Sequence, residues 1–272
     1  MLRTRVVTAI ALLALVVPVI VFGSVEAWGL LTLVFMAVAA REWSRLLMPQ
    51  HSAWPLAIVL TAAGTVYLSA YPSEGLRQLG FWVLAAASLF WCFVAPWRLW
   101  RHDARLGGRP IAFVLLLACW LGLFELRALG IAPLLIAMAI VWVADIAGYF
   151  VGRALGRTKL APRISPGKSW EGAMGGLAGV ALLGLASTRL PVLAQALPSA
   201  LLAAWGVATA VACLLLLAAL SIVGDLHESL LKRQAGVKDS GSSLPGHGGV
   251  LDRIDALIAT IPPVVLLHLL LR

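Results

Sequence analysis

Long apolar runs, separated by short polar clusters, divide the chain from one end to the other. A helix rises 1.5 Å per residue, so about 20 mostly apolar residues are needed to cross a bilayer core of about 30 Å. On that measure the pattern predicts spanning helices over 6–23, 26–40, 54–70, 80–96, 110–124, 130–152, 172–188, 197–223 and 256–271. The second, fifth and last of these runs are short, which leaves a count of eight open. The expected fold is therefore an all-α integral membrane protein. It is a polytopic bundle of about nine transmembrane helices with a polar active-site cavity facing the cytoplasm. The opening "MLRTR" and the apolar run behind it have the look of a signal peptide. No A-x-A cleavage site follows, so the segment reads as a retained first helix.

Composition agrees with a bilayer. Of 272 residues, 61% are hydrophobic and 12% are charged, against about 25% charged in a soluble domain. The formal net charge of +9 is spread between apolar runs rather than gathered in one patch. That distribution argues against nucleic acid as a partner and for membrane lipids or an anionic substrate. When Lys and Arg are assigned to alternate sides of a nine-span chain, 17 of the 21 fall on the side of the N-terminus. The positive-inside rule then puts the N-terminus and the basic loops in the cytoplasm. Cys92, Cys119 and Cys213 lie within apolar runs and have no metal-binding or disulfide spacing.

The acids are unevenly placed. Seven of the twelve, from Asp145 to Asp255, fall in the stretch 145–255. This divides the chain into a scaffold and lipid-contact region over 1–130 and a catalytic region over 131–272. Asp145 stands inside the sixth span, where a carboxylate costs about 2.5–3.5 kcal/mol on insertion scales and so belongs in a polar cavity. Tyr149, four residues on, shares its helical face. In "SPGKSWEG", Ser165 and Pro166 read as a sharp turn, followed by Gly167. Lys168 and Ser169 then lead into a helix beginning near Trp170, an arrangement suited to phosphate. Asp225, Glu228, Ser229 and Lys232 fall at i, i+3, i+4 and i+7, one face of a helix if the eighth span continues through them. Their residue types suit either an ion-pair stripe or a metal–phosphate site. The loop "KDSGSSLPGHGGVLDRID" follows. Its glycines, including Gly248 and Gly249, read as a backbone cradle whose N–H groups face phosphate, with Lys238 and His247 on its walls. Asp252 and Asp255 begin the last helix with Arg253 between them, where they serve as ligands or as helix caps.

From Ser229 to Asp255, "SLLKRQAGVKDSGSSLPGHGGVLDRID" closely resembles the signature of the CDP-diacylglycerol synthases, also called phosphatidate cytidylyltransferases. The similarity extends to "GDLHES", "SPGKSWEG" and "DIAGYFVG", and more weakly to "REW" at 41–43. Gly167 departs from the pattern, because many members carry a second lysine there. The resemblance implies transfer of CMP from CTP to phosphatidate, releasing pyrophosphate and forming CDP-diacylglycerol for phospholipid synthesis. It implies Mg²⁺, either as one ion aided by lysines or as one of two metal ions, the second being divalent or monovalent. Asp225 and Asp252 would be the principal ligands, with Asp145, Glu228 and Asp255 in or near the shell. Lys168, Lys232, Arg233 and Lys238 would hold phosphates. Ser165, Ser169, Ser229, Tyr149, Gly248, Gly249 and Arg253 would add substrate contacts, and His247 would bind a phosphate oxygen or protonate the leaving pyrophosphate. The expected location is a bacterial inner membrane, and a homodimer is an open assembly state. The alternative function is an ion-coupled transporter using the intramembrane carboxylates.

Overall fold

The computed structural model describes residues 2–71 and 73–271. Met1, Pro72 and Arg272, the last counted above on the minority side, lie outside them. Every predicted span coincides with a helix. The helices are α1 (Leu2–Phe22), α2 (Val25–Leu47), α3 (Trp54–Ser69), α4 (Glu74–Leu89), α5 (Ala95–Arg101), α6 (Gly108–Leu129), α7 (Ile131–Leu155), α8 (Trp170–Ser187), α9 (Leu197–Gln234, kinked at Gly206, φ +76°) and α10 (Leu251–Leu270). A π-helical turn, Phe90–Val94, joins α4 to α5, so the two form one continuous rod. Among the described residues six helices are long and apolar enough to cross a membrane, against the nine expected. Three helices fall short. Trp54–Ser69 has 16 residues, Val25–Leu47 carries Glu26, Arg41, Glu42 and Arg45, and Trp170–Ser187 is diluted by glycine.

The helices alternate in direction. One end of the bundle gathers Arg5 with Gly246, Arg105 with Leu46 and Gln234, Arg109 with Ser52, and Arg233 with Ile164. The other end gathers Arg127 with Gly23 and Tyr67 with Glu125. The basic loops thus collect at one face.

Two packing units meet at α9 and α10. In the first, α2 crosses α6 through buried indoles: Trp28 Nε1 donates to the Leu123 carbonyl and Trp120 Nε1 to the Gly29 carbonyl, both at 2.9 Å. In the second, α7 and α8 approach through glycines. A Cβ on Gly172 would lie 2.8 Å from the Gly148 carbonyl oxygen, and one on Gly176 would lie 2.8 Å from that of Ala144. Small residues at such spacing let membrane helices touch backbone to backbone. Gly224 does the same between α9 and α10, where a Cβ would meet the Asp255 carbonyl at 2.7 Å.

Between α7 and α8 the chain forms a short antiparallel hairpin, β1 (Lys159–Ala161) and β2 (Ser165–Ser169), which the all-helical reading does not include. Its turn lies three residues earlier than expected. Ile164 N–H donates to the Ala161 carbonyl across Pro162, while Ser165 and Pro166 are extended strand residues. Pro166 lacks a donor and is tolerated because β2 is an edge strand.

Candidate active site

A cavity of about 440 Å³ opens at the basic end between α7, α8, α9 and the hairpin. Asp145 and Tyr149 reach it from α7, Ser165 and Lys168 from β2, Ser169 from the start of α8, and Asp225 from α9. The glycine contact between α7 and α8 brings these elements together. Ser169 caps α8 by accepting from Gly172 N–H at 3.2 Å. Lys168 Nζ pairs with Asp225 Oδ2 at 2.5 Å. Glu171, on the outer side of α8, accepts from the backbone of Arg157 and Thr158 at 3.1 Å and ties β1 to the helix start. Its own amide, followed by those of Arg157 and Thr158, holds its carboxyl below the usual carboxylate range.

The helix of Asp225 continues to Gln234, as the one-face spacing requires. Ser229 Oγ donates to Asp225 Oδ1 at 3.2 Å, and Lys232 pairs with Glu228 one turn back at 2.5 Å. Lys232 also reaches Asp252 Oδ1 of α10 at 2.7 Å, so one ammonium joins the two helices. The helix then stops in a Schellman motif. Gly236, at φ +73°, donates to Arg233 C=O, and Val237 donates to Lys232 C=O. Immediately below Lys232, a small cavity is lined by Glu228, Asp255, His227, Trp43 and Trp91.

The glycine-rich loop spends its amides differently from the predicted cradle. Asp252 Oδ2 accepts from Gly249 N–H at 2.8 Å and from Ser240 N–H and Oγ, each at 2.9 Å. Gly248, at φ +85°, leaves room for that carboxylate, since a Cβ there would lie 2.8 Å from Oδ2. The loop tip is a turn in which His247 N–H donates to Leu244 C=O across Pro245 and Gly246, the latter at φ +76°. Arg5 Nε and Thr8 Oγ1 of α1 donate to the carbonyls of Gly246 and Pro245.

Several predicted site residues stand apart from the carboxylates. Arg253 donates twice to the His247 carbonyl and braces the loop. Arg233 donates to Ile164 C=O behind the hairpin. Lys238 is exposed on the loop. The His247 ring is half-buried, and its Nδ1 is enclosed without a hydrogen-bond partner. Glu42, outside the predicted set, is buried against the loop and accepts from its backbone. The only sequence sign of it was the weak "REW" match.

Five carboxylates, Asp145, Asp225, Glu228, Asp252 and Asp255, thus surround two lysines, Lys168 and Lys232. Those of Asp145, Asp225 and Asp255 are near enough to repel one another. Both Glu228 oxygens are buried and accept no hydrogen bond beyond the Lys232 ion pair. This donor set is all oxygen with an excess of negative charge, and it fits a hard divalent cation. In the present arrangement no three His, Cys, Asp or Glu among the described residues are grouped closely enough to hold one.

Carboxylates and lysines paired at and near a cavity in a multi-pass helical bundle define the functional site of a membrane protein. The chain is a member of the cytidylyltransferase family, whose model matches residues 3–271. It is 38% identical to a phosphatidate cytidylyltransferase of Pseudomonas aeruginosa, covering 96% of this chain and 95% of the relative. It is 38% identical to one from Brucella suis over 95% and 90% of the two chains. A third, from Staphylococcus epidermidis, is 30% identical over 99% and 98%.

Proposed function

We propose that the chain transfers CMP from CTP to phosphatidate, giving CDP-diacylglycerol and pyrophosphate. The observation that carries this reading is the pairing of Lys168 with Asp225 on the wall of an open cavity, and of Lys232 with Glu228 and Asp252 further along the helix that carries Asp225. The lipid phosphate is already an anionic nucleophile. Its oxygen forms a bond to the α-phosphorus of CTP while the bond to the pyrophosphate oxygen breaks, and no proton needs to be removed from the attacking group. The residues need to neutralise charge and to align the two phosphates. Lys168, on the cavity wall, and Lys232, between two helices, exchange their carboxylate partners for phosphate oxygens when substrate enters. That exchange frees oxygens of Asp225, Glu228 and Asp252.

Asp225 and Asp252, with Asp145, Glu228 and Asp255 close by, would hold Mg²⁺, which supplies further neutralisation of the polyphosphate when bound. Ser165 and Ser169 offer hydroxyls at the cavity wall. The basic face is assigned to the cytoplasm of a bacterial inner membrane, where CTP is available and where the positive-inside rule puts it. The acyl chains of phosphatidate remain in lipid while its headgroup enters from the interface.

The test is conversion of radiolabelled CTP by purified protein with phosphatidate, with and without EDTA. Magnesium-dependent formation of CDP-diacylglycerol is expected, and Asp225→Asn or Asp252→Asn should abolish it while leaving folded protein. Full turnover in both variants would remove the carboxylates from the mechanism.

A further inference from the structure

Glu42 lies near the end of α2, is 2% exposed, and is some two hundred positions from the loop it touches. A buried carboxylate is costly unless it is hydrogen-bonded. Glu42 accepts from Val250 N–H through Oε1 at 3.2 Å and from Leu251 N–H through Oε2 at 2.8 Å. These are first-turn amides of α10, whose N-cap position is Val250 and offers no side-chain oxygen. A helix start leaves such amides unsatisfied, and a negative charge there is favoured by the helix dipole. Glu42 therefore does from a distant helix what an N-cap residue normally does locally.

The loop is shaped around it. A Cβ on Gly241 would lie 2.7 Å from Glu42 Oε1, and one on Gly249 would lie 2.5 Å from Oε2. Ser240 Oγ lies 3.3 Å from Glu42 Oε2 and 2.9 Å from Asp252 Oδ2. A hydroxyl has one proton, so the two carboxylates share a single donor. Asp252 is thus held by Ser240 and Gly249, and both lie against Glu42. Because α2 is locked to α6 by the Trp28 and Trp120 indoles, Glu42 is a fixed point.

We infer that Glu42 is a positioning residue: it fixes the start of α10 and Ser240, and through them the direction in which Asp252 faces Lys232. Its effect on turnover rests on the function proposed above, whereas its effect on the loop does not. The experiment compares wild-type and Glu42→Gln protein in nanodiscs by hydrogen exchange and by steady-state kinetics. Glutamine keeps the size but turns an N–H toward one of the donors. Exchange in a peptide spanning 249–252 is expected to accelerate about tenfold or more, while a peptide spanning 257–265 is unchanged. The kcat is expected to fall about 10- to 100-fold, as a shift of about 1 Å at a reacting group would cause.

Ser240→Ala, which leaves Glu42 and its backbone contacts in place, should lose less activity. The double variant should lose no more than Glu42→Gln alone, because both act through one loop. Wild-type turnover in Glu42→Gln, or unchanged exchange at 249–252, would overturn the inference. If Glu42→Gln does not fold, unchanged turnover in Ser240→Ala does the same. A wild-type protein without transfer activity would instead refute the proposed function, and the exchange data would still decide the positioning role.

Discussion

Replacing Gly224 with alanine tests the geometry that brings the carboxylates of α9 and α10 together. The new methyl would lie 2.7 Å from the Asp255 carbonyl oxygen, 2.7 Å from Ala259 Cβ and 3.2 Å from Ala256 Cα. Two of these obstacles are backbone atoms and the third is a Cβ, so no side-chain rotation relieves the clash. Carbon atoms prefer separations of about 3.5–4.0 Å, and the helices must therefore part by roughly 1 Å at this level. Asp225 is the next residue and Asp255 supplies the obstructing carbonyl, so the displacement falls directly on the carboxylates. A misplacement of about 1 Å costs on the order of 100-fold in rate. Overpacking costs about 1–3 kcal/mol, and alanine returns about 1 kcal/mol of helix propensity over glycine. The expected result is a kcat reduced about 100-fold with thermal stability lowered only modestly. Gly75→Ala is the control, since a Cβ there meets nothing within 4 Å. Turnover of labelled CTP and thermal unfolding, measured in the same detergent, give the two readouts. Wild-type kcat in Gly224→Ala would refute the claim that close approach of α9 to α10 sets the site.

Two further outcomes are expected. Lys232→Met leaves Glu228 and Asp252 buried without their shared cation, so activity should vanish and stability should fall by about 3–5 kcal/mol; adding Asp252→Asn should return part of the stability, measured by thermal unfolding. Glu171 has a lowered carboxyl pKa, so the support it gives the hairpin is fully present above the ordinary glutamate pKa of about 4.3 and is lost as pH falls through the lowered folded value. Glu171→Ala should therefore expose Arg157 and Lys159 to faster tryptic cleavage at neutral pH, read by mass spectrometry, and unchanged cleavage would show that the carboxylate does not hold the loop.

Features that depend on near neighbours in sequence were legible. Each apolar run became a helix, the 225–232 spacing put Asp225, Glu228, Ser229 and Lys232 on one face, and Trp170 opened α8 as expected. Six of those helices meet the length and apolarity of a membrane span among the described residues; α3 is shorter, and charges in α2 and glycines in α8 lower their apolarity. The loop glycines read as a cradle for phosphate, and they are places of close approach. What approaches at Gly241, Gly248 and Gly249, however, is protein carboxylate, Glu42 or Asp252, rather than open ligand space. Nothing local to residue 42 announces a partner at residue 251. Only the crossing of α2 on α6, with α10 packed against both, makes them neighbours. The hairpin turn was misplaced because Ser-Pro carries a turn signal, and the hydrogen bond across Pro162 outcompetes it.

The attachments of Arg5, Thr8 and Glu42 to residues 245–251 also have a temporal side. A ribosome adds about 5–20 residues per second, so Glu42 emerges roughly 10 to 40 s before its hydrogen-bond donors exist. During that interval α2 holds an acid with no donors from the loop, and α1 lacks the turn to which its arginine and threonine bind. Closure of the signature loop is therefore a late event in biogenesis, and it joins the earliest-made helices to the last.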